Sequence, residues 1–92
     1  MHLVWRKRAQ DDKKRIARHI IEEGGDVQAA KVLIAQIEDK ALTATRGVIR
    51  HKAGRVRGTH EIVAGKNYVI VYRATKTQIN VLRVLHARQQ WP

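Results

Sequence analysis

The sequence predicts an α+β fold: an N-terminal strand, then an antiparallel helical hairpin packed on a small antiparallel β-sheet. Three observations carry this reading. Apolar residues recur at helical spacing in two adjacent stretches of the first half. Those stretches are separated only by Gly24-Gly25-Asp26, a break short enough to fold one helix back on the other. From Glu61 to Trp91, apolar runs alternate with short polar turns, the pattern of strands joined by hairpins.

Taken in order, His2 to Trp5 reads as a short strand with Leu3 and Trp5 on one face, and it needs a later strand beside it. Ala9 to Glu23 reads as a helix whose stripe is Ala9, Asp12, Ile16 and Ile20, with Asp11 and Asp12 in its first turn and Asp11 spaced to pair with Arg15. Gly24 suits a left-handed C-cap and Asp26 an N-cap for the next helix. That helix, from Val27 to about Leu42, is the clearest periodic element, with Ala30, Leu33, Ile34, Ile37 and Ala41 in line. Thr43 to Lys52 has no firm pattern, with Val48-Ile49 either an anchored turn or a very short strand. Gly54 and Gly58 bracket Arg55-Val56-Arg57, which suits an irregular lead into a strand, or a bulge where backbone comes close to something. Thr59 to Val63, Tyr68 to Arg73 and Gln78 to His86 are then three strands of a meander, turned at Ala64–Asn67 and Ala74–Thr77. The middle strand is apolar enough to be covered on both sides. Trp91 is expected to tuck onto the body.

Composition bounds the function. Ninety-two residues make one domain, 1–92, with one modest core. Without cysteine there is no disulfide, thiolate nucleophile or sulfur-ligated metal. No apolar run reaches the roughly 20 residues that span a bilayer, and the N-terminus does not read as a signal peptide, so the expectation is a cytoplasmic protein with no membrane partner. The formal charge of +11 is one-sided. Residues 1–42 hold nine Lys/Arg against seven Asp/Glu, and residues 43–92 hold ten against one, Glu61. A field of that kind suits a nucleic acid or an acidic protein.

Arg46, Arg50, Lys52, Arg55 and Arg57 fall close together without an acid. Arg55, Arg57, Arg73, Arg83 and Arg88 are suited to gripping phosphates, and Arg50 and Lys52 add to the same binding set. For phosphodiester chemistry, Glu61 and His86 are the candidate base and acid, and Arg83 would stabilise charge on phosphorus. The plainer alternatives are an Arg83–Glu61 pair across the sheet and a His86 that only ends a strand. Tyr68 and Tyr72 share a strand face, either as core or as a platform for bases. His2, His51 and His60 read as surface histidines; they lack metal-site spacing, and no cofactor motif is present.

At Gly54-Arg55-Val56-Arg57-Gly58-Thr59-His60-Glu61-Ile62-Val63, Tyr68-Val69-Ile70-Val71-Tyr72-Arg73 and Ile79-Asn80-Val81-Leu82-Arg83-Val84-Leu85-His86, with Gln89-Gln90-Trp91-Pro92 after it, the chain resembles the RelE/ParE toxins of bacterial type II toxin–antitoxin pairs. The late Leu82–His86 run and the terminal Trp-Pro look closer to the ParE-like, plasmid-stabilisation branch. The resemblance implies a helical hairpin on a small sheet, a cognate antitoxin that wraps the basic surface, and growth arrest when the toxin is free. It implies one of two targets: DNA gyrase, poisoned by ParE-like members, or the ribosome and mRNA, where relatives act as metal-independent endoribonucleases. In the second case Arg57 and Arg83 match basic positions around the scissile phosphate, and His86 lies near the late catalytic position. Two departures stand out: no proline-containing turn precedes Gly54, and no tyrosine follows His86. A homodimer or a toxin–antitoxin hetero-oligomer fits the family. A non-catalytic basic nucleic-acid-binding domain would account for the charge but not for the terminal pattern.

Overall fold

The computed structural model describes residues 1–46 and 52–92. Strand β1 (His2–Trp5) leads into α1 (Lys7–Glu22), α2 (Val27–Thr43) and a 3-10 turn (Ala44–Arg46); β2 (Lys52–Ala53), β3 (His60–Ala64), β4 (Tyr68–Ala74) and β5 (Gln78–His86) follow. These strands form one sheet in the order β1-β5-β4-β3-β2. All pairs are antiparallel except β1 with β5, where Leu3 lies beside Ile79 and Trp5 beside Val81. The sheet is therefore mixed and extends beyond the expected three-strand meander. Val48-Ile49 and Arg50 lie outside the described residues.

Register assigns the faces. Ile62, Ile70 and Val84 stand in one row, with Ala64, Tyr68 and His86 in the next row on the same face. Together with Leu3, Trp5, Tyr72, Ile79 and Val81, most of these meet Ala9, Ile16, Ile37 and Ala41 of the helices in the main core. Each buried Ile or Val among them contributes about 1.5–3 kcal/mol through burial, and each alanine methyl less. The opposite face carries Glu61, Val71 and Arg83 in one row and Val63, Val69 and Leu85 in another. Val69, Val71 and Leu85 form a smaller apolar cluster covered by Trp91. The expected two-sided cover of β4 and the tucked tryptophan are both present.

Strict alternation does not hold along β5. Pairing shifts from Val71–Arg83 to Tyr72–Val81, so Leu82 is an extra residue in a bulge. That shift puts Ile79, Val81 and Val84 all on the helix side, which unbroken period-two alternation forbids.

Helix α1 starts two residues earlier than the apolar pattern indicates, at Lys7. Asp11 and Asp12 consequently lie beyond the first turn, and Asp11 pairs with Lys7 (3.3 Å) rather than with Arg15. Gly24 takes a positive φ of 91°, and the Asp26 carboxylate accepts the Ala29 N–H at 2.7 Å, capping α2 as expected. The hairpin is locked by Lys13, whose Nζ lies 3.0 Å from Glu38 on α2 and 3.7 Å from the centre of the Trp5 ring. Among the described residues no helix is long and apolar enough to cross a membrane.

Candidate functional site

The Gly54–Glu61 segment folds as a closed turn. Its ends are tied by the Gly54 N–H to the Thr59 carbonyl (2.8 Å), and the Thr59 N–H and hydroxyl both donate to the Val56 carbonyl. A Cβ on Gly54 would sit 2.0 Å from the Thr59 Oγ1, so only glycine fits there. Gly58 adopts φ 83°, in the left-handed region open to glycine at little cost. Glu61 is buried at the base of the turn, where one carboxylate oxygen accepts both the backbone N–H (2.8 Å) and the Nε (3.2 Å) of Arg55. The motif that reads as a phosphate grip thus also builds a turn, with its acid and its first arginine bound to each other.

Arg83 does not pair with Glu61. Both flank Val71 in the same row, about 10 Å apart across two strand spacings. β1 ends at Trp5 opposite Val81, and past that point the open edge of β5 meets α1. There Asp12 accepts from Arg83 Nε (2.7 Å) and Nη2 (3.0 Å), from the Val84 N–H (2.8 Å), and from Arg15 Nη2 (2.7 Å). Burial pushes the Asp12 carboxyl upward in pKa, but these donors and the Arg83 charge outweigh it and hold the group below the ordinary carboxylate value. The Arg83 guanidinium is raised, chiefly by its hydrogen bonds to Asp12. Asp12 is the residue the functional reading passed over; its signal was a carboxylate inside the apolar stripe of α1.

His86 sits on the other face, opposite Tyr68, whose ring it meets edge-on with centres 5.6 Å apart. Its Nδ1 accepts the Arg88 backbone N–H at 3.2 Å, which leaves Nε2 for other contacts. The imidazole borders a cleft of about 300 Å³ shared with Arg15, Ile16, His19 and Tyr68. Arg55, Arg57, Arg83 and His86 therefore do not gather on one side, and Glu61, Arg83 and His86 do not converge on a common point. Tyr68 and Tyr72 belong to the core, and burial raises the Tyr72 phenol. His60 is half-buried and stacked on Tyr72 at 5.3 Å rather than lying at the surface.

Cationic residues do collect on and around the sheet face turned away from the helices. Lys52 shares the row of Glu61, Arg73 pairs in register with Asn80, and Arg55 reaches from Glu61 to the Gln89 carbonyl at 3.3 Å. The Arg73 guanidinium extends over the turn, where a Cβ on Gly58 would lie 3.6 Å from it, beside exposed Arg57. The tail crosses the same face, with Trp91 on the small cluster and the Arg83 guanidinium 5.5 Å from its ring centre. Arg88 is exposed just past β5. No group of three or more metal-ligating side chains occurs among the described residues. The arrangement is a basic sheet face, with the His86 imidazole set apart from it.

Residues 3–91 match the family model described as the ParE toxin of the type II toxin–antitoxin system, parDE. A protein of Sinorhizobium fredii (strain NBRC 101917 / NGR234), named "Putative toxin Y4kP", is 34% identical over 71 residues, covering 76% of this chain and 73% of its own length. The fold is similar to a chain from the chromosomal ParDE TA system of P. aeruginosa, with a TM-score of 0.82 at 20% identity, over 96% of this chain and 97% of that one. It is more distantly similar to YafQ from E. coli strain BL21(DE3), with a TM-score of 0.51 at 11% identity, over 91% and 90% of the two chains. The match along almost the whole chain, on a hairpin-and-sheet fold shared with a ParDE protein, places this chain in the ParE family of type II toxin–antitoxin toxins.

Proposed function

We propose that residues 1–92 act as a single toxin domain that arrests growth by docking on DNA gyrase, and that a cognate antitoxin keeps it silent. The observation that carries the gyrase reading is a division of labour. Glu61 and Arg83 are bound into the fold and His86 faces away from them, whereas Lys52, Arg57 and Arg73 are exposed and have no ion pair among the described residues. A surface of that kind favours binding a target over cutting a phosphodiester, and its positive field speeds approach to a DNA-bound enzyme. Arg55 and Arg88 frame the same surface beside the tail.

The test is supercoiling by purified gyrase. The wild-type chain inhibits it, and Arg57→Ala with Arg73→Ala raises the concentration needed at least roughly tenfold, as expected for losing two charged contacts at an interface, while the thermal melt is unchanged. Full inhibition by the double variant would refute the docking face.

One observation favours a second reading, RNA cleavage on the ribosome: the cleft that joins His86 to His19, Arg15 and Tyr68. An imidazole whose Nε2 makes no hydrogen bond among the described residues, beside a guanidinium, is a workable acid with phosphate stabilisation. Mapped transcript ends in cells expressing the wild type, absent with His86→Ala, would establish it over gyrase inhibition.

A further inference from the structure

The cleft of about 300 Å³ between α1 and the end of the sheet is lined by one guanidinium, one aliphatic side chain and three rings: Arg15, Ile16, His19, Tyr68 and His86. It opens where β4 starts at Tyr68 and β5 ends at His86, its partner in register, while α1 continues to Glu22. The sheet wall is held in place. The Ala87 N–H donates to the Asn67 carbonyl (2.6 Å), the His86 N–H to Gln89 Oε1 (3.4 Å), and His86 Nδ1 accepts the Arg88 N–H (3.2 Å). The Tyr68 and His86 rings stand at 79° to each other with centres 5.6 Å apart. Two rings at nearly a right angle make a corner, and a flat ligand stacked on one meets the other edge to face. Arg15, with a side chain 51% exposed, gives Nη2 to Asp12 (2.7 Å) and has no other hydrogen bond among the described residues. Asp12 is already matched by Arg83 and the Val84 N–H, so Arg15 keeps both charge and donors for an anion.

We propose that this cleft binds a nucleoside monophosphate, with the heterocycle in the ring-lined corner and the phosphate on Arg15. The helix sets that orientation. His19 lies in the last turn of α1, where unpaired carbonyls disfavour an anion, so the phosphate belongs at Arg15, one turn and about 6 Å back along the axis. The heterocycle then covers Ile16 and Tyr68 and offers its polar edge to the His19 and His86 imidazoles. Inorganic phosphate alone leaves the apolar lining uncovered, and an uncharged heterocycle leaves Arg15 unused; the two features call for one ligand that carries both. One guanidinium matches one phosphate, which favours a monophosphate over a triphosphate. No carboxylate joins the two imidazoles in the lining, so the chemistry is that of an anion site and not of a cation site. The inference shares its cleft with the RNA-cleavage reading but concerns binding alone, and it needs neither cleavage nor gyrase docking.

The test is a titration of the 15N-labelled chain with adenosine monophosphate, and separately with inorganic phosphate and with adenosine. Shifts are expected at Arg15 Nε, at the His19 and His86 imidazoles and at the Tyr68 ring. The monophosphate binds at least roughly tenfold more tightly than either part, because the second group docks intramolecularly. Arg15→Gln weakens the monophosphate roughly tenfold and leaves adenosine unchanged, as expected for losing a charge-assisted contact; the melt moves little because the Arg15–Asp12 pair is half exposed. Arg15→Lys recovers part of the affinity, which a merely structural role would not predict. Phosphate binding as tightly as the monophosphate would overturn the assignment, as would shifts confined to Lys52, Arg57 and Arg73 or no saturable binding at millimolar ligand. A 5′-phosphorylated tetranucleotide that binds more tightly than the monophosphate places a strand end in the cleft, and equal or weaker binding assigns a free nucleotide. Saturable binding with transcript ends unaltered by His86→Ala would keep the site and refute the cleavage reading; His86-dependent ends without nucleotide binding would do the reverse.

Discussion

Replacing Asp12 by alanine removes the acceptor for four donors at the seam between α1 and β5. The contacts are unequal. Arg15 is half exposed, and its pairing contributes little. Arg83 has a side chain only 13% exposed, so losing its partner leaves a guanidinium largely out of water, which costs about 3–5 kcal/mol by analogy with other broken buried pairs. The Val84 N–H is orphaned as well, at about 1–3 kcal/mol, and the two losses overlap because water admitted to one group also reaches the other. A net loss of about 3–5 kcal/mol is a large share of the roughly 5–15 kcal/mol that holds a domain of this size. It should lower Tm by more than about 12 °C, at about 4–8 °C per kcal/mol. Urea unfolding followed by the fluorescence of Trp5 and Trp91 measures it. A double variant, Asp12→Leu with Arg83→Leu, removes both charges and should recover part of the loss, leaving mainly the Val84 N–H unsatisfied. A loss under about 1 kcal/mol in Asp12→Ala would show that solvent reaches the guanidinium easily, and the account of the seam as a buried charge pair would fail.

The same carboxylate sets an acid limit. Its pKa is lower folded than unfolded, so its contribution is complete above the unfolded value of about 4 and is lost as pH falls through the folded one; unfolding monitored from pH 6 to 2 should show this limb, and Asp12→Asn should flatten it. Tyr72 behaves oppositely: its raised phenol stabilises the fold below the unfolded value of about 10 and ceases to do so as pH climbs through the folded value, so Tyr72→Phe should weaken the alkaline dependence. Gly54→Ala places a methyl 2.0 Å from Thr59 Oγ1, and expression as an insoluble or strongly destabilised chain is expected, whereas Ala87→Gly, at an exposed position after β5, leaves solubility unchanged. Glu61→Gln keeps the shape but weakens the charge-assisted bonds to Arg55, at a cost of about 1–3 kcal/mol in chemical denaturation.

The architecture was legible because the hairpin and the strands each carry their own local signal: stripes at helical spacing, a short capped break, and apolar runs closed by turn residues. β1 was legible as a strand but not as the parallel neighbour of β5, since nothing in four residues specifies a partner 76 positions away at Gln78. The bulge at Leu82 was hidden for a related reason: alternation in β5 reads equally well in either phase until the partner strand fixes which residue is extra. The site was harder to read. Charge counting located the basic half, but pairing depends on three-dimensional proximity, and the acid that holds Arg83 comes from the half with the near-balanced charge.

That origin bears on which cations are available to a partner. Among the described residues, five acids make an ion pair or a helix cap: Asp11, Asp12, Asp26, Glu38 and Glu61. Each is spent on the hairpin, the seam or the turn. Asp12 and Glu61 thereby draw Arg83 and Arg55 into holding the fold, while Arg57 and Arg73 have no ion pair among the described residues. Substituting Arg83 would therefore confound any toxicity assay with unfolding, whatever its role at a target. Arg57 and Arg73 are the positions where a lost phenotype with an unchanged melt reports on the target alone, and a lost phenotype accompanied by a lowered melt at those two residues would mean that the exposed arginines also carry the fold.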